Sequence, residues 1–214
     1  MNILCFGDSN THGYNPKDGT RYEKNKRWTG ILQNLLGEED YVIEEGLSGR
    51  TTVFEDPIHE GLSGLNHIHS CLMTHEPLDL LIIMLGTNDT KERFGANANV
   101  ISLGLSRLIE KAKNTKLAFR NNKPNILIVA PIPIRPEISS VECGATMGKG
   151  CSEKSYELIP LYENVAKEMG CHFFDPSSYV SCSDYDYMHL SEEAHEILAN
   201  KLYNVISNIK TALV

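Results

Sequence analysis

The chain has 214 residues, 41% hydrophobic and 22% charged, with a formal net charge of -8. That length supports one well-buried α/β core, read as a single domain over 1–214, and is too short for two large domains. The acidic balance, with no Lys/Arg-rich stripe, excludes a nucleic-acid partner, and the longest apolar run is too short to span a bilayer.

Asn2–Phe6 is a short apolar run closed by Gly7, which predicts a first strand. Trp28, Ile31, Leu32, Leu35 and Leu36 recur at helical spacing, and Gly37 stops that helix at Leu36. Tyr41–Ile43 predicts a second strand, and Leu62–Met73 an irregular or helical crossover. Leu78–Leu85 is nearly all apolar, as a strand buried on both faces of a parallel sheet requires. Ile101, Leu105, Leu108, Ile109 and Ala112 predict a helix over 100–119. Asn125–Ala130 is another buried strand, followed by a helix over Tyr156–Met169 and a short strand, Cys171–Phe174. Ser191 is placed to cap a last helix running to Ile209, with Glu192 and Glu193 suited to its first turn. Alternating strands and helices predict a doubly wound α/β domain with ligands at the carboxyl edge of the sheet. Two long loops, 11–26 and 131–155, are expected to shape a site or an interface.

The chemistry-bearing residues fall at the ends of these strands. Phe6-Gly7-Asp8-Ser9-Asn10 follows the first one. A serine hydroxyl becomes a nucleophile only beside a base, and a tight turn exposes it. By itself the segment is equally a capping turn. Asp186-Tyr187-Met188-His189 precedes the last helix. A carboxylate three residues before an imidazole can hold its Nδ1–H and leave Nε2 facing a serine, although an isolated pair of this kind is more often a surface feature. Leu85-Gly86-Thr87-Asn88-Asp89 ends the most buried strand and offers a side-chain amide donor, or a plain turn. Glu45-Gly46-Leu47-Ser48-Gly49-Arg50 follows the second strand, where a free Gly49 N–H can donate to a developing oxyanion. Four such turns at the rim of one sheet point to acyl transfer.

These four blocks resemble the Ser-Gly-Asn-His hydrolases, also called the GDSL family, through Ser9, Gly49, Asn88 and the Asp186/His189 pair. The resemblance implies a flavodoxin-like, three-layer α/β/α fold with a five-stranded parallel sheet in the order 2-1-3-4-5. It implies Ser9 as nucleophile, His189 as general base and acid, and Asp186 orienting His189. The oxyanion hole would be the N–H groups of Ser9 and Gly49 with the Asn88 amide. Asn10 stands where the older family name expects leucine. Arg27-Trp28-Thr29-Gly30, Glu44-Glu45-Gly46-Leu47-Ser48 and Ile82-Ile83-Met84-Leu85-Gly86-Thr87-Asn88-Asp89 are similar to the bacterial arylesterase/perhydrolase subgroup. That similarity implies short acyl esters as substrates and acyl transfer to alcohols or peroxide. It implies no cofactor, a pocket drawn from Asp8, Asn10, His12, Trp28, Ser48 and Met188, and a homo-oligomer from a dimer up to an octamer. Segment 135–156 shows little likeness. The alternatives are a carbohydrate O-acetylesterase and a non-catalytic ligand-binding module on the same fold.

Other residues are read more plainly. Trp28 serves equally as core packing at a helix start. Arg50 reads as a loop-holding residue, and Asp8 and Asp89 as turn and network residues. His59, His67, His69 and His75 are crowded but lack a metal-binding pattern and are read as solvated or packed. The six cysteines form no C-x-x-C pair. With no secretory signal visible, free thiols and a cytoplasmic location are expected.

Overall fold

The computed structural model describes residues 1–212. Five parallel strands form one sheet in the order β2-β1-β3-β4-β5. They are β1 (Asn2–Gly7), β2 (Tyr41–Gly46), β3 (Leu80–Met84), β4 (Ile126–Val129) and β5 (His172–Phe174). Among the described residues seven α-helices connect or flank them: α1 (Ser9–His12), α2 (Trp28–Leu36), α3 (Gly64–Thr74), α4 (Ala98–Asn114), α5 (Glu142–Met147), α6 (Cys151–Met169) and α7 (Glu192–Ala212).

Side chains of a strand alternate between faces, so each central strand feeds two cores. Leu4, Phe6, Leu81, Ile83, Ile126 and Ile128 pack with α3, α4 and α6. Ile3, Cys5, Leu80, Ile82, Leu127 and Val129 pack with α2 and α7. This is why β3 and β4 read as unbroken apolar runs: both faces are covered. The result is the three-layer sandwich and strand order expected from the resemblance.

Several boundaries differ from the sequence reading. β2 continues three residues past Ile43, through Glu44 and Glu45. Those acids are tolerated because each has a partner. Arg27 donates from Nε and Nη2 to Glu44 at 3.0 and 2.7 Å, and His75 Nε2 meets Glu45 Oε1 at 2.8 Å. The helix expected over 100–119 is α4, which starts two residues earlier. Asn97 Oδ1 caps it by accepting from Val100 N–H at 2.9 Å. It stops at Asn114, and a 3-10 turn over Lys116–Ala118 carries the chain toward β4. α6 begins at Cys151 rather than Tyr156, so part of the expected loop is helical. The cap at Ser191 is as expected, its Oγ accepting from Ala194 N–H at 3.1 Å.

Among the described residues no helix is long and apolar enough to cross a membrane.

Candidate active site

β1 delivers Ser9 to the carboxyl edge of the sheet. The chain turns from strand into the single-turn helix α1 within two residues, and two paired glycines make room for that turn. A Cβ on Gly7 would lie 2.1 Å from Thr11 Oγ1, and one on Gly46 would lie 2.1 Å from His12 N. Gly7 and Gly46 are register partners across β1 and β2. Asp8 caps α1, its Oδ1 accepting from Asn10 N–H at 3.0 Å. Burial raises the Asp8 carboxyl above the usual range, against the lowering effect of that N–H and of His189.

His189 arrives from the other end of the chain, on the turn before α7. Tyr187 adopts φ +60° there, which curls the backbone around Asp186. Asp186 Oδ1 then accepts from Met188 N–H at 3.1 Å and His189 N–H at 2.9 Å. Its Oδ2 meets His189 Nδ1 at 2.5 Å, and His189 Nε2 lies 2.8 Å from Ser9 Oγ. Burial disfavours the Asp186 carboxylate, but hydrogen bonding and the charge of His189 together hold its pKa below the ordinary value. A Tyr14 ring tilted at 43° packs on the imidazole, with centroids 4.4 Å apart.

The remaining donors come from the ends of β2 and β3. Gly49 has φ +88°, a conformation that suits glycine. Asn88 opens a 3-10 turn over Asn88–Thr90, and its Nδ2 donates to Arg50 O at 3.2 Å, leaving its second amide hydrogen for another acceptor. Asp89 ties the two segments together. It accepts from Thr52 N–H at 2.9 Å and Thr52 Oγ1–H at 2.5 Å, and burial pushes its carboxyl up to about 6. Arg50 holds the loop, as the sequence suggests. Its Nη1 donates to Gly7 O at 3.0 Å and to Glu45 O, and its guanidinium lies 4.0 Å over the Phe6 ring.

Ser9, Ser48, Gly49, Asn88, Met188 and His189 line one cleft of about 210 Å³. Four other residues expected in the pocket do not. Trp28 is 1% exposed and packs under the sheet with Ile3 and Cys5, its Nε1–H donating to Asn10 O at 3.1 Å. His12 ends α1 beside Gly46, Arg21, Arg27 and Glu44, and is absent from the cleft; burial and the two arginines lower its pKa. Asp8 is turned inward as the α1 cap. Asn10 is buried and faces the His189 turn, accepting from Leu190 N–H at 2.9 Å and donating to Met188 O at 3.4 Å.

Other walls of the cleft come from residues that the sequence did not place in the pocket. Cys143, Thr146 and Met147 belong to α5, in the loop over 131–155, and Lys91 follows Asn88. The same loop braces the histidine turn: Arg135 N–H donates to Tyr187 O at 2.9 Å, and Cys143 Sγ lies 3.3 Å from Asp186 O. A hydrophobic knot of Ile134, Ile138, Met147, Cys151 and Met188 fastens it down. All six cysteines are free thiols.

Residues 5–197 match the model of the GDSL-like lipase/acylhydrolase family. An aryl esterase from M. smegmatis superposes with a TM-score of 0.90 at 38% identity, over 97% of this chain and 99% of that one. A carbohydrate acetylesterase from Sinorhizobium meliloti gives 0.90 at 36% identity, over 98% and 99%. A member of the lipolytic G-D-S-L family from Veillonella parvula, at 20% identity and a TM-score of 0.68, shares the fold. A comparison with curated protein sequences gave no match.

Proposed function

The chain belongs to the GDSL-like lipase/acylhydrolase family and is a carboxylic ester hydrolase; from this premise we propose that it cleaves short, acetyl-like esters through an acyl enzyme on Ser9. The observation that carries the proposal is the unbroken contact chain from Asp186 through His189 to Ser9 Oγ, opening into a cleft of only about 210 Å³. Sites for drug-sized ligands run to roughly 300–1,000 Å³, so this volume favours a small acyl group.

In the proposed reaction Ser9 Oγ attacks the ester carbonyl carbon while its proton passes to His189 Nε2. The carbonyl π electrons move onto oxygen. The N–H groups of Ser9 and Gly49 and the free Asn88 amide hydrogen stabilise that charge. Asp186 keeps the imidazole in the tautomer that leaves Nε2 unprotonated at the start and stabilises the imidazolium that forms. As the carbon–oxygen bond to the alcohol breaks, His189 Nε2–H protonates the departing oxygen. Water then attacks the acyl-serine, giving its proton to His189 Nε2, and as the bond to Ser9 Oγ breaks His189 returns that proton to Ser9, releasing the carboxylic acid. An alcohol or peroxide in place of that water would take the acyl group, which makes acyl transfer the second half of the same chemistry.

A second reading concerns the leaving group. Ser48, Asn88, Lys91 and Thr146 place polar groups around the cleft, which suits a sugar alcohol and agrees with the similarity to the carbohydrate acetylesterase. A homo-oligomer, from a dimer up to an octamer, and a cytoplasmic location complete the proposal, the former to be read from the mass in solution. The test is a panel of p-nitrophenyl esters of graded acyl length beside acetylated sugars. Acetyl esters should give the highest kcat/KM, falling as the acyl chain lengthens. Preference for an octanoyl over an acetyl ester would refute the small-acyl assignment.

A further inference from the structure

In a hollow beside the 46–52 loop that shares no lining residue with the catalytic cleft, three side chains of different chemistry converge. α3 presents its residues four apart on one face. His67, Cys71 and, just past its end, His75 follow that spacing. Glu45, near the end of β2, points at Cys71 and His75. The candidate donor atoms of Glu45, Cys71 and His75 lie within 4.8 Å of one another, and all three residues are half-buried. They share a hollow of about 240 Å³ with Arg50, His67, Ser70 and Thr74.

We propose that Glu45, Cys71 and His75 bind one zinc ion, with solvent or His67 completing four-fold coordination. Thiolate, imidazole and carboxylate form a donor set that zinc favours over magnesium or calcium, which prefer all-oxygen sites. With Zn–S near 2.3 Å and Zn–N or Zn–O near 2.0–2.1 Å, tetrahedral donors stand about 3.3–3.6 Å apart. His75 Nε2 and Glu45 Oε1, now 2.8 Å apart, would open by roughly half an ångström on the same principle. Cys71, within 4.8 Å of the other donors, would close by at most about 1.2 Å.

Charge bears on the choice of metal. Arg50 lines the same hollow and its charge opposes a bound cation, so anionic ligands are needed to offset both. Binding would release the Cys71 proton to solvent, and the thiolate with the Glu45 carboxylate would then neutralise the two charges of zinc. Because the thiol must lose its proton to ligate, affinity should rise with pH. Bound metal would join β2 to α3 behind the segment that carries Gly49. The site does not depend on the catalytic assignment and can be tested separately from it.

Chelator-treated full-length protein is titrated with zinc in equilibrium dialysis and with cobalt(II) by absorbance. One zinc per chain, a thiolate-to-cobalt charge-transfer band and a zinc-dependent rise in Tm are expected. Cys71→Ser should abolish the cobalt band and the Tm rise, and His75→Asn and Glu45→Gln should each weaken zinc binding on the order of tenfold or more. Circular dichroism of each variant checks that the fold is retained, and the two milder variants carry the test if Cys71→Ser misfolds. Absence of stoichiometric binding, or a band that persists in Cys71→Ser, would overturn the site.

Discussion

Asn10 stands 180 positions from Leu190 along the chain, yet it fastens the serine turn to the histidine turn. Its Oδ1 is the acceptor for the buried Leu190 N–H at 2.9 Å. Its Nδ2 contact to Met188 O is longer, 3.4 Å, and that carbonyl also faces Cys182 Sγ at 3.2 Å. In Asn10→Ala the carbonyl can still share the Cys182 S–H, which also faces Pro133 O at 3.2 Å, while the N–H is stranded. An unsatisfied buried donor costs about 1–3 kcal/mol. For a domain of this size each kcal/mol moves Tm by about 2–4 °C, so the variant should melt about 2–12 °C lower. Activity should suffer further, because the loop that loses its tether carries His189. A misplacement of about 1 Å lowers rate on the order of a hundredfold, seen in kcat more than in KM. Asn10→Asp retains the acceptor for Leu190 N–H and should recover part of the lost Tm. Thermal melts and p-nitrophenyl acetate kinetics on the three proteins decide the matter. An Asn10→Ala variant with Tm within a degree of the parent and an unchanged kcat would refute the clamp.

Two further outcomes follow from the same geometry. Asn88→Ala should lower kcat on the order of 10²–10³-fold with the fold retained, and a near-normal kcat would remove Asn88 from the oxyanion hole. His195 is fully buried, its Nδ1 accepting from Trp28 N–H at 3.3 Å, and burial, then Arg27 and His189, bring its pKa down to about 3. The folded state keeps this ring neutral where the unfolded chain protonates it, below about pH 6.5. The unfolded state thus binds more protons between about pH 6.5 and 3, and this group's contribution to stability declines as pH falls through that window, by up to about 1.4 kcal/mol per pH unit. Urea melts from pH 7 to 4 should show a shallower acid decline in His195→Gln than in the parent; parallel curves would contradict the assignment.

Much of this architecture is legible in the sequence because its causes are local. β3 and β4 are covered on both faces, so their apolar runs are continuous, and the Ser9 and His189 segments carry short-range signals. What escaped depends on partners far along the chain. Glu44 and Glu45 disguise the end of β2 until Arg27 and His75 are seen beside them. Trp28 and His12 follow the nucleophile motif in sequence, but Trp28 opens α2 and packs under the sheet with Ile3 and Cys5, and His12 sits among Gly46, Arg21, Arg27 and Glu44, partners that the local sequence does not reveal. Nothing local announces that Cys143, Thr146 and Met147 wall the cleft. They reach it through the packing of Ile138 and Met147 against Met188. The spacing of His67, Cys71 and His75 is visible in the chain, but the carboxylate that meets them comes from a different strand.

The most direct trial is covalent. Wild-type protein treated with a serine-reactive fluorophosphonate should lose ester hydrolysis in step with one adduct per chain, mapped by peptide mass to Ser9. The adduct should be absent in Ser9→Ala and form far more slowly in His189→Ala. Hydrolysis that continues undiminished in fully treated enzyme, or an adduct on another side chain with Ser9 unmodified, would contradict a nucleophilic serine at the end of β1.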